Sequence, residues 1–514
     1  KADTPVASAA TGAAGETAQT KQVVVGVSMG ATTMDPAHEY EWDAEMMLHS
    51  VYPTLVTSDY ADESKILPCV ASEWVISDDG LTYTFTLNQG IQFTTGKELK
   101  ASDVAFSLNR LKGAAGNPSF LLSSVESVEA TGDYEVTVTL SEPNPALLNI
   151  LTRASAGVYD AEVAQANGAT CDSSDAGQAY FDTTSIGCGP YMISSFHSGS
   201  ELVLVKNPDS YFPAGNVDTY IIRNIADSAT QQMELEGGDL DFALDLTADQ
   251  TALLEGSENI KLVSFDTMDI FFLGLNASEE YGKELADPTV REAIRYAIDY
   301  PGLCALAGNG ATTPAGIIPK GFLGYAGETT VTRDVEKAKA LLTEAGYPDG
   351  ITFSMGVIPD MAPDGVSFMT LAQKVQADLA EAGITVNIEP QEVAVYLEGY
   401  RDGKQQSVMC HWGPDYNDSN NQLAFLPGNT VGLRLGWTAE MDPELAELGQ
   451  KASVETDSDK RAELFTEIQK QMDEKNAPAV VLLQPGKTWA VSSRLKNLTV
   501  SAAFCFDFVS LDVQ

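Results

Sequence analysis

The stretch from Ile351 to Ile388 limits the fold more than any other part of the chain. Ile351–Val357 is a strand-like run. Phe368, Leu371, Val375 and Leu379 then recur at three- and four-residue spacing, which predicts an amphipathic helix over Gly365–Glu381. Ile384, Val386 and Ile388 alternate in a second strand. Strand, helix, strand in this order is a βαβ unit, because parallel strands need a crossover between them. The region from about Pro288 onward therefore predicts a domain with a partly parallel sheet. A helix over Asp334–Gly346, ended by glycine, belongs to the same region.

The first third is built differently. Gln22–Val27 is a short β-branched run that predicts a buried strand, and a helical stretch follows from about Asp43. Trp74 and Ile76 alternate with polar neighbours, Asp79-Gly80 supplies a turn, and Leu81, Tyr83, Phe85 and Leu87 alternate again. Asp-Gly tolerates the positive φ angles of a tight hairpin, so this is an antiparallel pair. Ala101–Leu111 reads as a helix opened by Ser102 and Asp103. Val125–Ala130 and Tyr134–Leu140 read as a second strand pair around Gly132-Asp133. The chain closes with a strand-rich segment, Ala479–Val509. There is no internal repeat and no long internal linker, so two lobes with short crossovers are expected.

Composition excludes several functions. The chain has 514 residues and a formal charge of −43. An acidic exterior keeps a protein soluble and monomeric, and it offers no basic face to phosphates, so nucleic acid is not an expected partner. No run of about 18 apolar residues exists to span a membrane. Lys1–Thr20 is rich in Ala, Thr, Gly and Ser, without apolar periodicity, and reads as a flexible tether. The chain opens without Met or a signal peptide. The expectation is a mature protein whose export signal has been removed. A tether before a large folded body suits a lipid-anchored protein at the outer face of the cell membrane, or a periplasmic one.

Reactive motifs are few. Gly26-Val27-Ser28-Met29-Gly30 matches the nucleophile-elbow pattern after a strand. An elbow needs a helix directly after the serine, and Ala31 to Pro36 read as a loop. A serine hydrolase using Ser28 is the alternative of another class, and small residues at a strand-to-loop exit are the simpler reading. Asp415 to Asn421 carries oxygen ligands at alternate positions. It lacks the glycine of a calcium loop and has Leu426 where the bidentate acid belongs. No P-loop and no HExxH motif occur, and His38, His49, His197 and His411 are scattered. No cofactor and no metal are expected. Among the six cysteines there is no CxxC. Cys171 and Cys188 flank a polar stretch that a disulfide would close. The other four read as isolated thiols.

Taken in order, several short segments resemble the extracellular solute-binding protein family 5, the dipeptide, oligopeptide and nickel binders of ABC importers. Met34-Asp35-Pro36 is similar to the family's opening LDP, and Val51-Tyr52-Pro53-Thr54-Leu55-Val56 to its YExL strand. Pro68, Ala71, Trp74 and Asp78 to Phe85 resemble the block P-LA-W…DGxxYTF. Phe93, Gly96 and Ala101-Ser102-Asp103-Val104 follow. Gly187-Cys188-Gly189-Pro190-Tyr191 stands where the family has GTGPY, then Asn207-Pro208 and Tyr211 follow, and Val290 to Asp299 is close to VRqAlxyAID. The match runs from about Val23 to the C-terminus.

That resemblance implies an α/β, two-lobed periplasmic-binding-protein clamshell of type II, with an extra subdomain inserted in lobe I. Lobe I would span 21–270, with the insertion at about 39–186. Lobe II would span 271–484, and 485–514 would return to lobe I. The strands crossing between lobes are expected near Phe271–Leu273 and Leu483–Pro485. It implies no catalysis. It implies instead capture of a small molecule or peptide, probed by closure of the lobes, and delivery to ABC permease subunits by a monomer. Trp412-Gly413-Pro414-Asp415-Tyr416 resembles the segment in which peptide binders offer an Asp to the ligand's α-ammonium group. Trp412 would wall the site, and Tyr40, Trp42 and Met34 would face it across the cleft. Some oligopeptide binders carry an Arg three residues before the Trp. Here that residue is Met409, and Arg401 is out of register, so the partner for a peptide's carboxylate is not evident. An opine-like amine conjugate, a nickel chelate offered to His411, and an oligosaccharide remain as alternative ligands.

Overall fold

The computed structural model describes residues 20–213, 215–503 and 505–514. The tether expected at Lys1–Thr20 lies almost wholly outside them. Two sheets organise the molecule. The larger has seven strands, in the order Ile260–Asp266, Gly486–Ser492, Phe242–Ala243, Gln22–Val27, Thr219–Asn224, Glu201–Lys206 and Tyr191–His197. Gln22–Val27 sits inside it and pairs parallel with Thr219–Asn224, Val23 opposite Tyr220, and with Phe242–Ala243. Val23, Val25 and Val27 are buried in one core, which explains the β-branched run.

The second sheet has five strands, ordered Ile384–Pro390, Ile351–Val357, Ser407–Trp412, Ile270–Leu275 and Ala479–Leu483. Ile351–Val357 runs parallel to Ile384–Pro390, Ile351 opposite Ile384, as the βαβ pattern requires. The crossover helix is Phe368–Glu381, with Ser367 as N-cap accepting from the Thr370 amide and Phe368, Leu371, Val375 and Leu379 buried. It begins three residues later than the spacing predicted. Pro363–Gly365 forms a separate turn of 3-10 helix, in which Asp364 has φ 51° and Gly365 φ 77°. A left-handed pair cannot be the first turn of a right-handed helix. The glycine-ended helix also appears, as Val335–Glu344, with Gly346 at φ 92°.

A third, four-stranded antiparallel sheet is formed by Ala71–Ile76, Thr82–Leu87, Glu135–Leu140 and Val125–Gly132. The hairpin turns at Gly80, with φ 69°. The helix Ala101–Gly113 packs on this sheet and shares its core through Val104, Leu108 and Leu111. In sequence this unit falls between two strands of the seven-stranded sheet, which makes it an insertion.

The chain crosses between the two large sheets twice. One strand ends at Asp266 and the next starts at Ile270; one ends at Leu483 and the next starts at Gly486. The crossings bond to each other. The amide and hydroxyl of Thr267 donate to the Pro485 carbonyl at 3.2 and 2.8 Å. The Gln484 side chain donates to the Thr267 carbonyl at 2.6 Å. Two short, tied segments between two sheets are the geometry of a hinge.

Cys171 and Cys188 are not joined, contrary to the sequence reading. Cys171 is exposed against the helix Ala101–Gly113, its sulfur 3.8 Å from the Phe106 carbonyl. Cys188 is fully buried in the core of the inserted unit. One thiol faces solvent and the other is enclosed, so closing the loop would require Cys188 to leave its core. Cys69, Cys304 and Cys410 are free as well.

Arg110 links the insertion to the larger sheet's core. Its guanidinium is completely buried and donates to both oxygens of Asp35, at 2.8 and 2.6 Å, and to both of Asp175, at 2.8 and 2.8 Å. Burial alone would raise the Asp175 pKa, but hydrogen bonds from Arg110 and His38 outweigh it and hold it at about 2. Arg110→Met would leave two buried carboxylates without their cation, so a loss of about 3–5 kcal/mol is expected in urea unfolding. Because the folded pKa of Asp175 lies below its unfolded value, its stabilisation is complete above about pH 4 and is lost as pH falls toward about 2. Asp175→Asn should flatten that part of the acid-unfolding curve.

Candidate functional site

The space between the two lobes holds a cavity of about 520 Å³. It shares Phe265, Thr267, Met268, Asn417 and Ala502 with an adjoining cavity of about 720 Å³. Each falls in the size range of small-ligand sites. The charged and aromatic wall of the first is Tyr40, Trp42 and Arg153 on one side, with Asp269, Asp364, His411 and Asp415 on the other. Lys487 stands beside the crossing.

Asp415 is delivered by the strand Ser407–Trp412 and the Gly413-Pro414 exit after it. A Cβ at Gly413 would stand 2.9 Å from an Asp269 oxygen, so a larger residue there would push the Asp269 carboxyl aside. One Asp415 oxygen accepts from Asn421 Nδ2 at 2.9 Å, and the other accepts from the Tyr40 hydroxyl across the cleft. Burial first, and Asp415 second, raise the Tyr40 phenol above its ordinary pKa, so it stays a donor. Among the described residues no Lys or Arg lies within 4.0 Å of Asp415; both its partners are neutral.

The other residues named from sequence divide. Trp42 opens the helix Trp42–Leu48 and lines the cavity, with the Lys487 ammonium 5.0 Å from its ring centre. Trp412 turns its indole to Asn421, donating at 2.8 Å, and packs edge-on against Phe425. It lines a different cavity, of about 620 Å³, that also touches Asp415. Met34 does not reach the cleft. It is completely buried in the core of the larger sheet, and its amide is held by Asp182 at 2.7 Å. The loop after the first strand carries buried apolar residues inward, and an apolar side chain next to Asp35 follows them.

Apart from His411, which the sequence offered only to a nickel chelate, several wall residues carried no signal in the sequence. Burial, and then the neighbouring Asp364 carboxylate, push the Asp269 pKa well above its ordinary value. Burial lowers the His411 pKa, and its ring packs against Phe271 and Phe368, each 5.8 Å away. Lys487 follows the second crossing by two residues, and Arg153 sits in the inserted unit. Only their positions in space mark them.

The weaker motifs resolve in simpler ways. After Ser28 comes a loop, and the first helix starts only at Trp42, so Ser28 lacks an elbow. The calcium-like stretch spends its oxygens on protein donors. Asp418 takes a fork from Arg461 and a bond from Asn149 at 3.1 Å, and Asp415 is occupied as described. Asp35, His38 and Asp175 cluster closely enough for a metal, but the Arg110 guanidinium already fills the space between the two carboxylates. No helix among the described residues is long and apolar enough to cross a membrane.

A ligand-sized chamber between two lobes, hinged on two tied crossings, defines a solute-binding clamshell. The family model described as bacterial extracellular solute-binding proteins, family 5 Middle, matches residues 65–432, and the chain belongs to that family. Its members are the solute-binding components of ABC importers and are not enzymes. The glutathione-binding protein GsiB of Salmonella paratyphi A is 27% identical over 500 residues, covering 93% of this chain and 91% of that one. The dipeptide-binding protein of Escherichia coli K12 is 26% identical over 477 residues, covering 88% and 87%. Among solved structures, DppA of Helicobacter pylori in complex with peptide STSA has a TM-score of 0.77 at 25% identity, over 96% of this chain and 98% of that one. HbpA2 of Haemophilus parasuis has the same fold, with a TM-score of 0.83 at 24% identity, covering 96% and 100%.

Among the described residues three side-chain hydrogen bonds join the lobes on the cleft side, Tyr40 to Asp415, Asn417 to Glu63 at 2.9 Å and Asn149 to Asp418 at 3.1 Å, beside ion pairs of Lys320 with Asp266 at 2.7 Å and of Lys487 with Asp364 at 3.8 Å. The first is the only one of these three made at the chamber's charged wall. Hydrogen bonds to charged groups are worth about 1.5–3 kcal/mol. Tyr40→Phe should therefore shift the ligand-free equilibrium toward the open form by about 10- to 100-fold. Small-angle scattering should report a larger radius of gyration for the variant, and saturating ligand should restore the wild-type value.

Proposed function

We propose that this protein captures a di- or oligopeptide outside the cytoplasm, holds the peptide's α-ammonium group on Asp415, and hands it to an ABC permease. One observation carries the reading. Asp415 is a half-buried carboxylate at the lobe interface whose partners among the described residues are the neutral donors Tyr40 and Asn421. A carboxylate enclosed by a closing cleft needs an opposite charge, no protein cation lies within ion-pair distance of Asp415 among the described residues, and an amine on the ligand would supply it. The relatives support the same class, since one is a glutathione-binding and another a dipeptide-binding protein.

In this reading the working units are lobe I over 21–270 with its insertion, lobe II over 271–484, and the return over 485–514. The protein acts as a monomer, tethered by lipid to the outer face of the membrane or free in a periplasm. An opine-like conjugate also carries an amine and would use the same carboxylate. A nickel chelate fits less well. His411 is wedged between two phenylalanines, and Asp415 would have no cation to meet.

The test is a two-by-two comparison by calorimetry. Asp415→Asn should weaken binding of a free-amine peptide by roughly 10²- to 10³-fold without lowering the ligand-free melting temperature. N-acetylation of the peptide should weaken wild-type binding similarly and cost the variant little more, because both changes delete one interaction. Independent, additive losses would assign Asp415 a structural role and remove the amine from the ligand.

A further inference from the structure

Among the described residues, two cations in the chamber wall make no side-chain hydrogen bond. Arg153 is 12% exposed and has one ion pair, Nε to Glu45 at 3.5 Å. That Glu45 oxygen already accepts from the Ala154 amide at 2.6 Å. A guanidinium carries five donors, and none of those on Arg153 makes a side-chain hydrogen bond among the described residues. Lys487 is 17% exposed, and its ammonium stands 3.8 Å from Asp364 and 4.0 Å from Asp245. Both distances exceed hydrogen-bond length, and its nearest flat surface is the Trp42 ring.

Elsewhere the buried arginines among the described residues each make several hydrogen bonds, with the Nε of Arg461 left over. Arg110 makes a double fork with Asp35 and Asp175, Arg461 a fork with Asp418, and Arg291 donates to three backbone carbonyls. Polar groups withdrawn from water are ordinarily bonded; Arg153 and Lys487 still reach solvent at the cavity, and a ligand that displaced this water would have to supply their partner. Arg153 and Lys487 line the same cavity as Asp415. The chamber thus places an unpaired carboxylate and two under-bonded cations around one space, which is the complement of a zwitterion.

We infer that Arg153 and Lys487 form the anion-reading half of the site, and that the ligand is a peptide whose free carboxylate lies against them while its ammonium meets Asp415. This rests on the peptide reading above and completes it. It also replaces the arginine that the resemblance leads one to seek at position 409. Met409 is completely buried in the core of the second lobe, where no ligand reaches it. Lys487 belongs to a strand of the larger sheet and Arg153 to the inserted unit, whereas Asp415 belongs to the second lobe. A ligand spanning these groups would bind both lobes at once, and such contacts favour closure.

The experiment uses Ala-Ala, Ala-Ala-Ala and glutathione as probes, each compared with its C-terminal amide, by calorimetry on the full chain. Amidation removes the terminal carboxylate and keeps the ammonium. It is expected to weaken binding to the wild type by about 10- to 100-fold. Lys487→Met keeps the aliphatic stem on Trp42 and should weaken the acid by a similar factor while leaving the amide unchanged. Arg153→Met should behave likewise, and the wild-type comparison stands even if that variant folds poorly. An amide that binds as well as its acid overturns the inference and leaves the peptide reading intact, and so does a Lys487→Met variant that binds the acid normally. If no free peptide binds the wild type, the peptide reading itself falls and this inference with it.

Discussion

The buried guanidinium of Arg110 between Asp35 and Asp175 is the interaction on which the site depends. It joins the inserted unit, which supplies Arg110, to the loop leaving the first strand, which supplies Asp35. That loop runs through the interior without a sheet partner, so its amides need acceptors. Carboxylates provide them. Asp43 accepts from Gly30 and Ala31, Glu39 from Thr32, Thr33, Tyr40 and Glu41, and Asp182 from Met34. Tyr40 reaches Asp415 only because this scaffold is rigid. Burial costs these acids, and Asp43 is pushed up to about 6, with the loop amides pulling against the shift.

The same logic explains part of the acidic composition. A charge of −43 suggests only a solvated surface. Yet Asp160, Asp227, Asp287, Asp299, Asp334, Asp442 and Asp457 each cap a helix by accepting from its first-turn amides. A negative group at a helix N-terminus meets both the unpaired amides and the positive end of the dipole. Many of the acids therefore have local structural work, and the functional ones cannot be picked out by counting.

Closure follows from the connection between the lobes. Two short crossings, tied by Thr267, Gln484 and Pro485, allow rotation but little sliding. A ligand favours the closed form only through contacts that the open form lacks. The chamber offers groups for such contacts from both sides: Asp415 lines it from one lobe, and Lys487 and Trp42 from the other. A permease can then read the relative placement of the lobes without touching the ligand.

The sequence alone determined the elements and their partners within a lobe. The alternation around Gly80, the βαβ spacing from Ile351 to Ile388 and the buried first strand all appear where their periodicity put them. Asp415 was also legible, through resemblance of the segment around it. The periodic pattern did not distinguish Met34 in the core from Tyr40 at the cleft, six residues apart on one irregular loop. Nor did spacing join Cys188 to its surroundings; it suggested Cys171, which lies at the surface. Only the tertiary structure decided the rest of the chamber wall, with Arg153, Asp269, Asp364 and Lys487 drawn from four distant stretches. The reason is physical. Hydrophobic periodicity records which face of an element is buried against its own sheet, a local property. The chamber forms where one finished lobe meets another, and that meeting is set by two crossings and a buried arginine, which leave no period in the chain.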